Sequence, residues 1–222
     1  QPVLQQEDTM TDIDIWHAKA LGTAACKALI KNGFDAHYME TGAEAAAWVL
    51  SLVRPGMKVG TGGSMTLHQL GLHKDIEEAG ATLLYHSKKG LSPEEKMDIM
   101  RAQLTSDLFL SGTNAITLDG ELYNVDANGN RVAALTFGPK KTVVIAGWNK
   151  IVRNSEEARA RVELEASPPN NRRLGTGNPC AETGYCVDCR AEKRICRIYT
   201  LLRRRPLASD FSVLIVGERL GY

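Results

Sequence analysis

The sequence predicts an α/β fold, with a mainly parallel sheet flanked by helices and a cysteine-rich loop near the C-terminus. Strand candidates alternate with helix candidates through the first half of the chain, an order typical of parallel sheets joined by right-handed crossovers. The apolar run at residues 142–147 has the pattern of a strand that is buried on both faces. Four of the five cysteines lie between Cys180 and Cys196, which marks the C-terminal segment as distinct.

The helices are predicted from apolar periodicity and from the residues that begin or end a helix. An amphipathic pattern covers residues 13–32 and ends at Gly33. Thr41 is a candidate N-cap for an alanine-rich helix that continues to Val53. The other predicted helices are residues 66–79, 92–103 and 155–166.

The strands are predicted from short apolar runs bounded by turn-forming residues. They are residues 35–39, 57–60, 82–86, 108–111, 115–118, 121–125, 142–147, 198–203 and 211–216. The pair Asp119-Gly120 predicts a hairpin, and residues 167–178, rich in Pro, Asn and Gly, predict a connector. We therefore expect a single domain over residues 11–222, with the cysteine-rich loop at residues 178–197. Residues 1–10 are interpreted as an N-terminal extension or an expression remnant.

Composition and charge exclude several function classes. The 27 basic and 26 acidic residues leave a net charge of +1, which gives no field for attracting nucleic acid or a membrane surface. No apolar run is long enough to span a bilayer, and the N-terminal residues lack the pattern of a signal peptide. We therefore expect a cytoplasmic protein, in which clustered thiols stay reduced.

The four clustered cysteines follow the pattern Cys180-x5-Cys186-x2-Cys189-x6-Cys196. Several thiolates close together in sequence are what an iron–sulfur cluster or a zinc ion requires. The spacing matches neither the paired C-x2-C elements of structural zinc nor the tighter ferredoxin run, so both remain open, as do disulfides or free thiols. The basic side chains that would offset the thiolate charge, or simply form a solvated surface, are Arg190, Lys193, Arg194 and Arg197.

A glycine-rich loop joins a predicted strand to a predicted helix and is the first candidate ligand site. Glycine lets the backbone approach a ligand, and the N–H groups and hydroxyls there would favour an anion. The loop lacks the sequence of a Walker or dinucleotide-binding motif, and a tight turn capped by Ser64 is the alternative. The candidate ligand-binding residues are Gly60, Thr61, Gly62, Gly63, Ser64, Met65 and Thr66.

The central segment, dense in small polar residues, is predicted to complete this site. Asn114, Asn124, Asn130 and Arg131 are its candidate ligand-binding residues, although Asn also serves in turns. Weaker candidates are Glu121 and Asp126 as acid–base groups and His68 and His86 as ligand contacts. No catalytic base is assigned.

Several short motifs resemble the lactate utilization (LUD) domain family in their order along the chain. They are VGTGGSMTL at 59–67, NAITLDG at 114–120, GNR at 129–131, GPKK at 138–141 and CVDC at 186–189, with Pro179-Cys180 and Ile195-Cys196. The resemblance extends from about Ile13 to the C-terminus. It implies a fold like that of the NagB/ribose-5-phosphate isomerase/CoA-transferase superfamily, whose members bind sugar phosphates or CoA esters at the loop matched by residues 60–66.

The family is named for lactate oxidation by multi-protein complexes with iron–sulfur partners, and this association favours an iron–sulfur cluster over zinc at the four cysteines. The leading hypothesis is a redox-associated protein of lactate or related hydroxyacid utilization. It would bind a small anion (a hydroxyacid, a sugar phosphate or a CoA ester) and would contact redox partner proteins. The alternatives are a non-redox isomerase or acyl/CoA transferase with structural zinc, and a non-catalytic subunit of a multi-protein complex. A homodimer remains open.

Overall fold

The computed structural model describes residues 10–222, so most of the predicted extension at residues 1–10 lies outside the described residues. The strands are β1 (Asp35–Met39), β2 (Lys58–Thr61), β3 (Thr82–Tyr85), β4 (Leu108–Ser111), β5 (Ala115–Thr117), β6 (Leu122–Asp126), β7 (Lys141–Gly147), β8 (Ile151–Val152), β9 (Ile198–Leu202) and β10 (Asp210–Val216). The helices are α1 (Asp12–Lys31), α2 (Gly42–Leu52), α3 (Met65–Gln69), α4 (Leu72–Glu78), α5 (Pro93–Gln103), α6 (Asn130–Thr136), α7 (Ser155–Arg161), α8 (Ser167–Leu174) and α9 (Cys180–Thr183). A 3₁₀ turn, Trp148–Lys150, follows β7, and a π-helical segment, Val162–Ala166, joins α7 to α8.

The larger sheet is parallel throughout and has the strand order β1-β10-β7-β4-β2-β3. Its central strand β7 is buried along nearly its whole length. Since successive side chains point to opposite sides of a sheet, both faces of β7 are covered. Val143 and Ile145 belong to one apolar core, and Val144 and Ala146 belong to the other. The predicted α/β fold, with a mainly parallel sheet between helices, is confirmed.

A second sheet, which the sequence did not predict, has the order β8-β5-β6-β9 and contains two antiparallel pairs. Strands β5 and β6 form the hairpin expected from Asp119-Gly120. Gly120 has φ +78, and a Cβ there would lie 2.4 Å from the carbonyl carbon of Ala28, so the turn packs directly against α1. The outer partners of this hairpin, β8 and β9, are distant in sequence, and local patterns carry no information about these pairings.

Several helices differ from the sequence prediction. The helix expected at 66–79 is two helices, α3 and α4, because Gly71 between them has φ +69. Residues 128–131 were predicted as a turn and a ligand segment, and they lead into α6. The expected connector contains α8, whose prolines lie in the first turn, where proline needs no N–H partner. The cysteine-rich loop contains the short helix α9.

Predicted caps determine where other helices begin. The Thr41 hydroxyl accepts the Glu44 N–H at the start of α2, as expected. At α5, Ser92 and Glu95 form the reciprocal hydrogen bonds of a capping box, and Pro93 occupies the first turn. Among the helices of residues 10–222, none has both the length and the apolar character needed to cross a membrane.

Candidate functional site

A pocket of about 240 Å³ lies where strands β2, β4 and β7 end. The segments that follow these three strands contribute Gly63 and Ser64, Gly112 to Asn114, and Lys150 to its lining. Parallel strands bring their carboxyl ends to the same edge, which is the usual ligand-binding edge of such sheets. The segment between β6 and α6 supplies another part of the wall, including Asn130 and Arg131.

The glycine-rich loop contributes only part of its predicted residues to the pocket. Gly63, Ser64 and Met65 line it, whereas Gly60, Thr61, Gly62 and Thr66 are not among the lining residues. The Ser64 hydroxyl accepts the Leu67 N–H at 3.4 Å and so caps α3. Helix α3 has only five residues, which makes its N-terminus a weak source of positive potential.

Arg131 lines the pocket, but protein acceptors use all of its donors. Nε donates to Asp126, Nη1 donates to Asn124 and the Gly112 carbonyl, and Nη2 donates to Asn114 and the Val125 carbonyl. A guanidinium has five N–H groups, so this network leaves none for a ligand. Arg131 therefore organises the wall of the pocket.

The three predicted asparagines have different places around Arg131. Asn114 lines the pocket, and its Oδ1 accepts from both Arg131 Nη2 and the Val125 N–H. Asn124 is fully buried and is not a lining residue. Asn130 lines the pocket, and its Nδ2 lies 3.4 Å from Gln103 Oε1.

The two candidate acid–base carboxylates are engaged in ion pairs. Asp126 accepts hydrogen bonds from the Arg131 side chain and from the backbone N–H groups of Arg131 and Val132. Glu121 does not line the pocket and pairs with Arg203 at 2.9 Å. Both therefore act as structural groups in this arrangement.

Lys150 is a pocket residue that the sequence analysis missed. The residue is 4% exposed, and Nζ donates to Thr66 Oγ1 at 3.2 Å. Burial, together with the nearby charges of Arg161 and Arg131, lowers the pKa of Lys150 from 10.5 to about 7. A lysine at the carboxyl end of the predicted central strand was the signal that could have identified it.

His86, a weaker candidate in the sequence, lines the pocket, whereas His68 does not. Gln103 Nε2 lies 3.1 Å from His86 Nδ1 and also donates to the carbonyls of Thr61 and Leu84. The Gln103 amide has two N–H hydrogens for these three neighbours, and the two carbonyls are the closer acceptors. Burial lowers the pKa of His86 and favours its neutral form.

The four clustered cysteines line a second, smaller cavity of about 10 Å³. They are free thiols, and Cys180 and Cys196 are buried. Within residues 10–222, no group of three or more His, Cys, Asp or Glu side chains has the arrangement needed to hold a metal ion. The cysteines are thus brought together in the fold, and their role as metal ligands stays a prediction.

The donor set of this cavity fits a soft metal centre chemically. Burial, and the other cysteines of the group, raise the pKa of the Cys180 and Cys196 thiols. A bound cation would remove this penalty by stabilising the thiolates. The unfilled space is about the size of one water molecule, so an iron–sulfur cluster would need more room than the thiols leave in this structure.

Hydrogen bonds fasten the cysteine-rich loop at several points. Asn178, almost fully buried, donates to Asn171 Oδ1 at 2.7 Å and to the Lys193 carbonyl at 2.8 Å, which connects the two ends of the loop. Arg194 donates to Asp188 and to the Cys196 carbonyl, each at 2.8 Å. Of the four predicted basic residues, Arg194 is thus part of the loop framework.

The pocket and the cysteine cavity are neighbours. Ile195 lines both, and the next residue, Cys196, lines the cavity. On α8, Asn170 faces the pocket while Asn171 faces the cavity. One layer of side chains therefore separates the two spaces.

Comparisons with known proteins identify similarity over most of the chain. A family model described as the LUD domain matches residues 23–216. No curated protein matches this chain. A crystal structure of a DUF162 family protein from Deinococcus radiodurans is 13% identical, with a TM-score of 0.50, and the match covers 94% of this chain and 99% of that one. A structure of eIF2B beta from Chaetomium thermophilum, also 13% identical, has a TM-score of 0.37 and covers 52% of this chain and 44% of that one.

Proposed function

Because this chain belongs to the LUD domain family, we propose that it is a redox-associated protein of lactate or related hydroxyacid utilization. The family match confirms the resemblance predicted from the sequence motifs. The observation that carries the redox proposal is the shared wall at Ile195, which places four thiols beside a ligand pocket. A redox centre beside a substrate pocket is the arrangement that short-range electron transfer requires.

In this proposal the four cysteines hold an iron–sulfur cluster, which supplies one-electron chemistry when bound. Cys180, Cys186, Cys189 and Cys196 are its thiolate ligands. Arg194 lies beside them and offsets part of their negative charge, while Asn178 keeps the two ends of the loop together. Redox partner proteins would exchange electrons with the cluster.

The size and charge of the pocket favour a small anionic ligand. Its volume of about 240 Å³ lies below the roughly 300–1,000 Å³ of pockets for drug-sized ligands. A hydroxyacid therefore suits it better than a CoA ester. The buried Lys150 and Arg161 and the partly buried Arg131 bring three basic side chains to this region, whereas Asp126 is the buried carboxylate that pairs with Arg131.

One observation favours the alternative of a structural zinc in a non-redox protein. The space between the thiols is small, about 10 Å³, and a single ion needs less room than a cluster. The two proposals predict different metals, so a measurement of bound iron, zinc and sulfide separates them.

The deciding experiment measures iron, zinc and acid-labile sulfide in protein purified without oxygen, together with its visible spectrum before and after dithionite. We expect iron, sulfide and an absorption band that bleaches on reduction. The double variant Cys186→Ser/Cys189→Ser should lose all three. Cys26→Ala is the matched control, since Cys26 lies in α1 and does not line the cysteine cavity. Stoichiometric zinc without sulfide would overturn the redox proposal, as would protein without metal after reconstitution.

A further inference from the structure

Lys150 is a buried basic residue that pairs with no carboxylate of residues 10–222. The hydrogen bond to Thr66 is the contact that its Nζ makes within residues 10–222, and no ion pair of that range includes it. The groups that act on its pKa are Arg161 and Arg131, both cationic. An ammonium carries three hydrogens, so two remain for groups that enter the pocket.

The neighbouring cations have different partners. Arg131 is paired with Asp126 and has no free N–H. Arg161 donates to the carbonyls of Asn114 and Asn149. Lys150 is therefore the member of this trio with unused donors that face the pocket. A buried charge without a partner is costly, and an anion that binds there removes the cost.

The backbone is built closely around the lysine head group. Gly221 has φ +64, and a Cβ at this position would lie 2.8 Å from Thr66 Oγ1 and 3.1 Å from Lys150 Nζ. Any other residue would intrude on the Lys150–Thr66 pair. The glycine therefore leaves space at the polar end of the pocket.

We propose that Lys150 Nζ is the anchor that binds the carboxylate of a short-chain 2-hydroxy acid or 2-oxo acid in this pocket. The ligand class rests on the function proposed above. Thr66 orients the amine through its hydroxyl, and Arg131 shapes the wall without contacting the acid through a free N–H. The geometry thus assigns carboxylate recognition to Lys150, which lies outside the two segments predicted from sequence.

Binding at this anchor is coupled to a proton. The pKa of the free amine is near 7, and an adjacent carboxylate favours the charged form. At pH 8 the complex should therefore take up about one proton from solution. The charges of Arg161 and Arg131 act on this amine, and His86 in the same pocket has a pKa lowered by burial and is neutral at pH 8.

The test is isothermal titration calorimetry of the metal-loaded full chain with L-lactate, D-lactate, pyruvate and glycolate at pH 8. Each titration is repeated in two buffers that differ in ionisation enthalpy, which reports the number of protons taken up. We expect at least one of the acids to bind both the wild type and Lys150→Met. The variant should bind that acid at least tenfold more weakly, and binding to the variant should take up no proton.

The control variants separate charge from shape and from general surface effects. Lys150→Arg, which keeps a positive charge, should retain part of the affinity, and Lys89→Met, an exposed residue outside the pocket, should bind as the wild type does. Equal affinity in wild type and Lys150→Met would overturn the anchor. A wild type that binds none of the acids tested would overturn it as well. Metal and sulfide content is measured on the same samples, so loss of the anchor and failure of the redox proposal are distinguishable.

Discussion

The Arg131 guanidinium and the Asp126 carboxylate form an ion pair in the pocket wall, with Nε and Nη2 each 2.9 Å from Oδ1. The side chains are 15% and 9% exposed, and Asn114 and Asn124 use the remaining N–H groups together with two carbonyls. Arg131, the cation of the predicted ligand segment, thus has all of its N–H groups bonded to protein acceptors. Within residues 10–222, Lys150 Nζ makes one hydrogen bond, to Thr66, and in our proposal it is the cation that contacts the ligand.

Replacing Arg131 should destabilise the fold. Arg131→Met leaves the largely buried Asp126 charge, and four further oxygen acceptors, without the guanidinium. Breaking such a buried pair costs about 3–5 kcal/mol. Urea unfolding monitored by circular dichroism gives the change in the free energy of unfolding. Arg101→Met, which removes an exposed pair with Asp98, is the control and should change it little. A loss as small as that of the control would mean that the Arg131 network adds no stability.

Replacing Gly221 should impair ligand binding beyond the effect of backbone strain. The Cβ in Gly221→Ala would meet both Thr66 and Lys150. Gly71→Ala is the matched control, since Gly71 has a similar φ of +69 and no atom within 4 Å of its Cβ position. Both variants should lose about 1–2 kcal/mol of stability from the left-handed backbone, and only Gly221→Ala should also weaken acid binding in calorimetry. Equal binding in the two variants would contradict the close packing at Lys150.

Lys150 should make the free energy of unfolding rise with pH in the neutral to alkaline range. Its pKa is about 7 when folded and near 10.5 when unfolded. Between these values the unfolded state binds more protons, so the free energy of unfolding rises with pH, by about 1.4 kcal/mol per pH unit at most. Below pH 7 both states are protonated and the burial penalty is fully present.

The measurement is the difference in unfolding free energy between wild type and Lys150→Met at several pH values from 7 to 9. The difference is needed because the raised thiol pKa values of Cys180 and Cys196 act in the opposite direction at alkaline pH. We expect Lys150→Met to gain most over the wild type at pH 7 and less at pH 9. A difference that does not change with pH would show that the amine is not perturbed.

Asn178 should control how tightly the cysteine-rich loop retains its metal. Its amide bridges Asn171 and the Lys193 carbonyl across the loop. Asn178→Ala should therefore release metal to a chelator at least several-fold faster, as followed by absorbance, while helix content is unchanged. Asn170→Ala, whose side chain contacts Arg173 on the same helix, should release metal at the wild-type rate. Identical rates in both variants would argue against a role for the Asn178 bridge.

Much of the fold followed from local patterns. Elements that depend on neighbours in sequence were predicted correctly. They are the buried strand β7, the helices capped by Thr41 and Ser92, and the hairpin at Asp119-Gly120. Helix α8 was missed because its Pro, Asn and Gly residues are typical of a connector, although two prolines are compatible with a first turn. Beyond the β5–β6 hairpin, the second sheet was missed because β5 pairs with β8 and β6 pairs with β9, and these partners are distant in sequence.

The sequence by itself determined the family, the α/β class, the cysteine group and which loops approach the ligand-binding edge, since these depend on motif order and local periodicity. Only the tertiary structure decided which cations have a free hydrogen-bond donor. Asn114, Asn124, Asp126 and two carbonyls use all the N–H groups of Arg131. Lys150, just after β7, makes one side-chain hydrogen bond within the described part of the chain. Tertiary packing also decided that Ile195 separates the pocket from the four thiols. Such relationships arise from contacts between distant segments, and the pattern of neighbouring residues does not encode them.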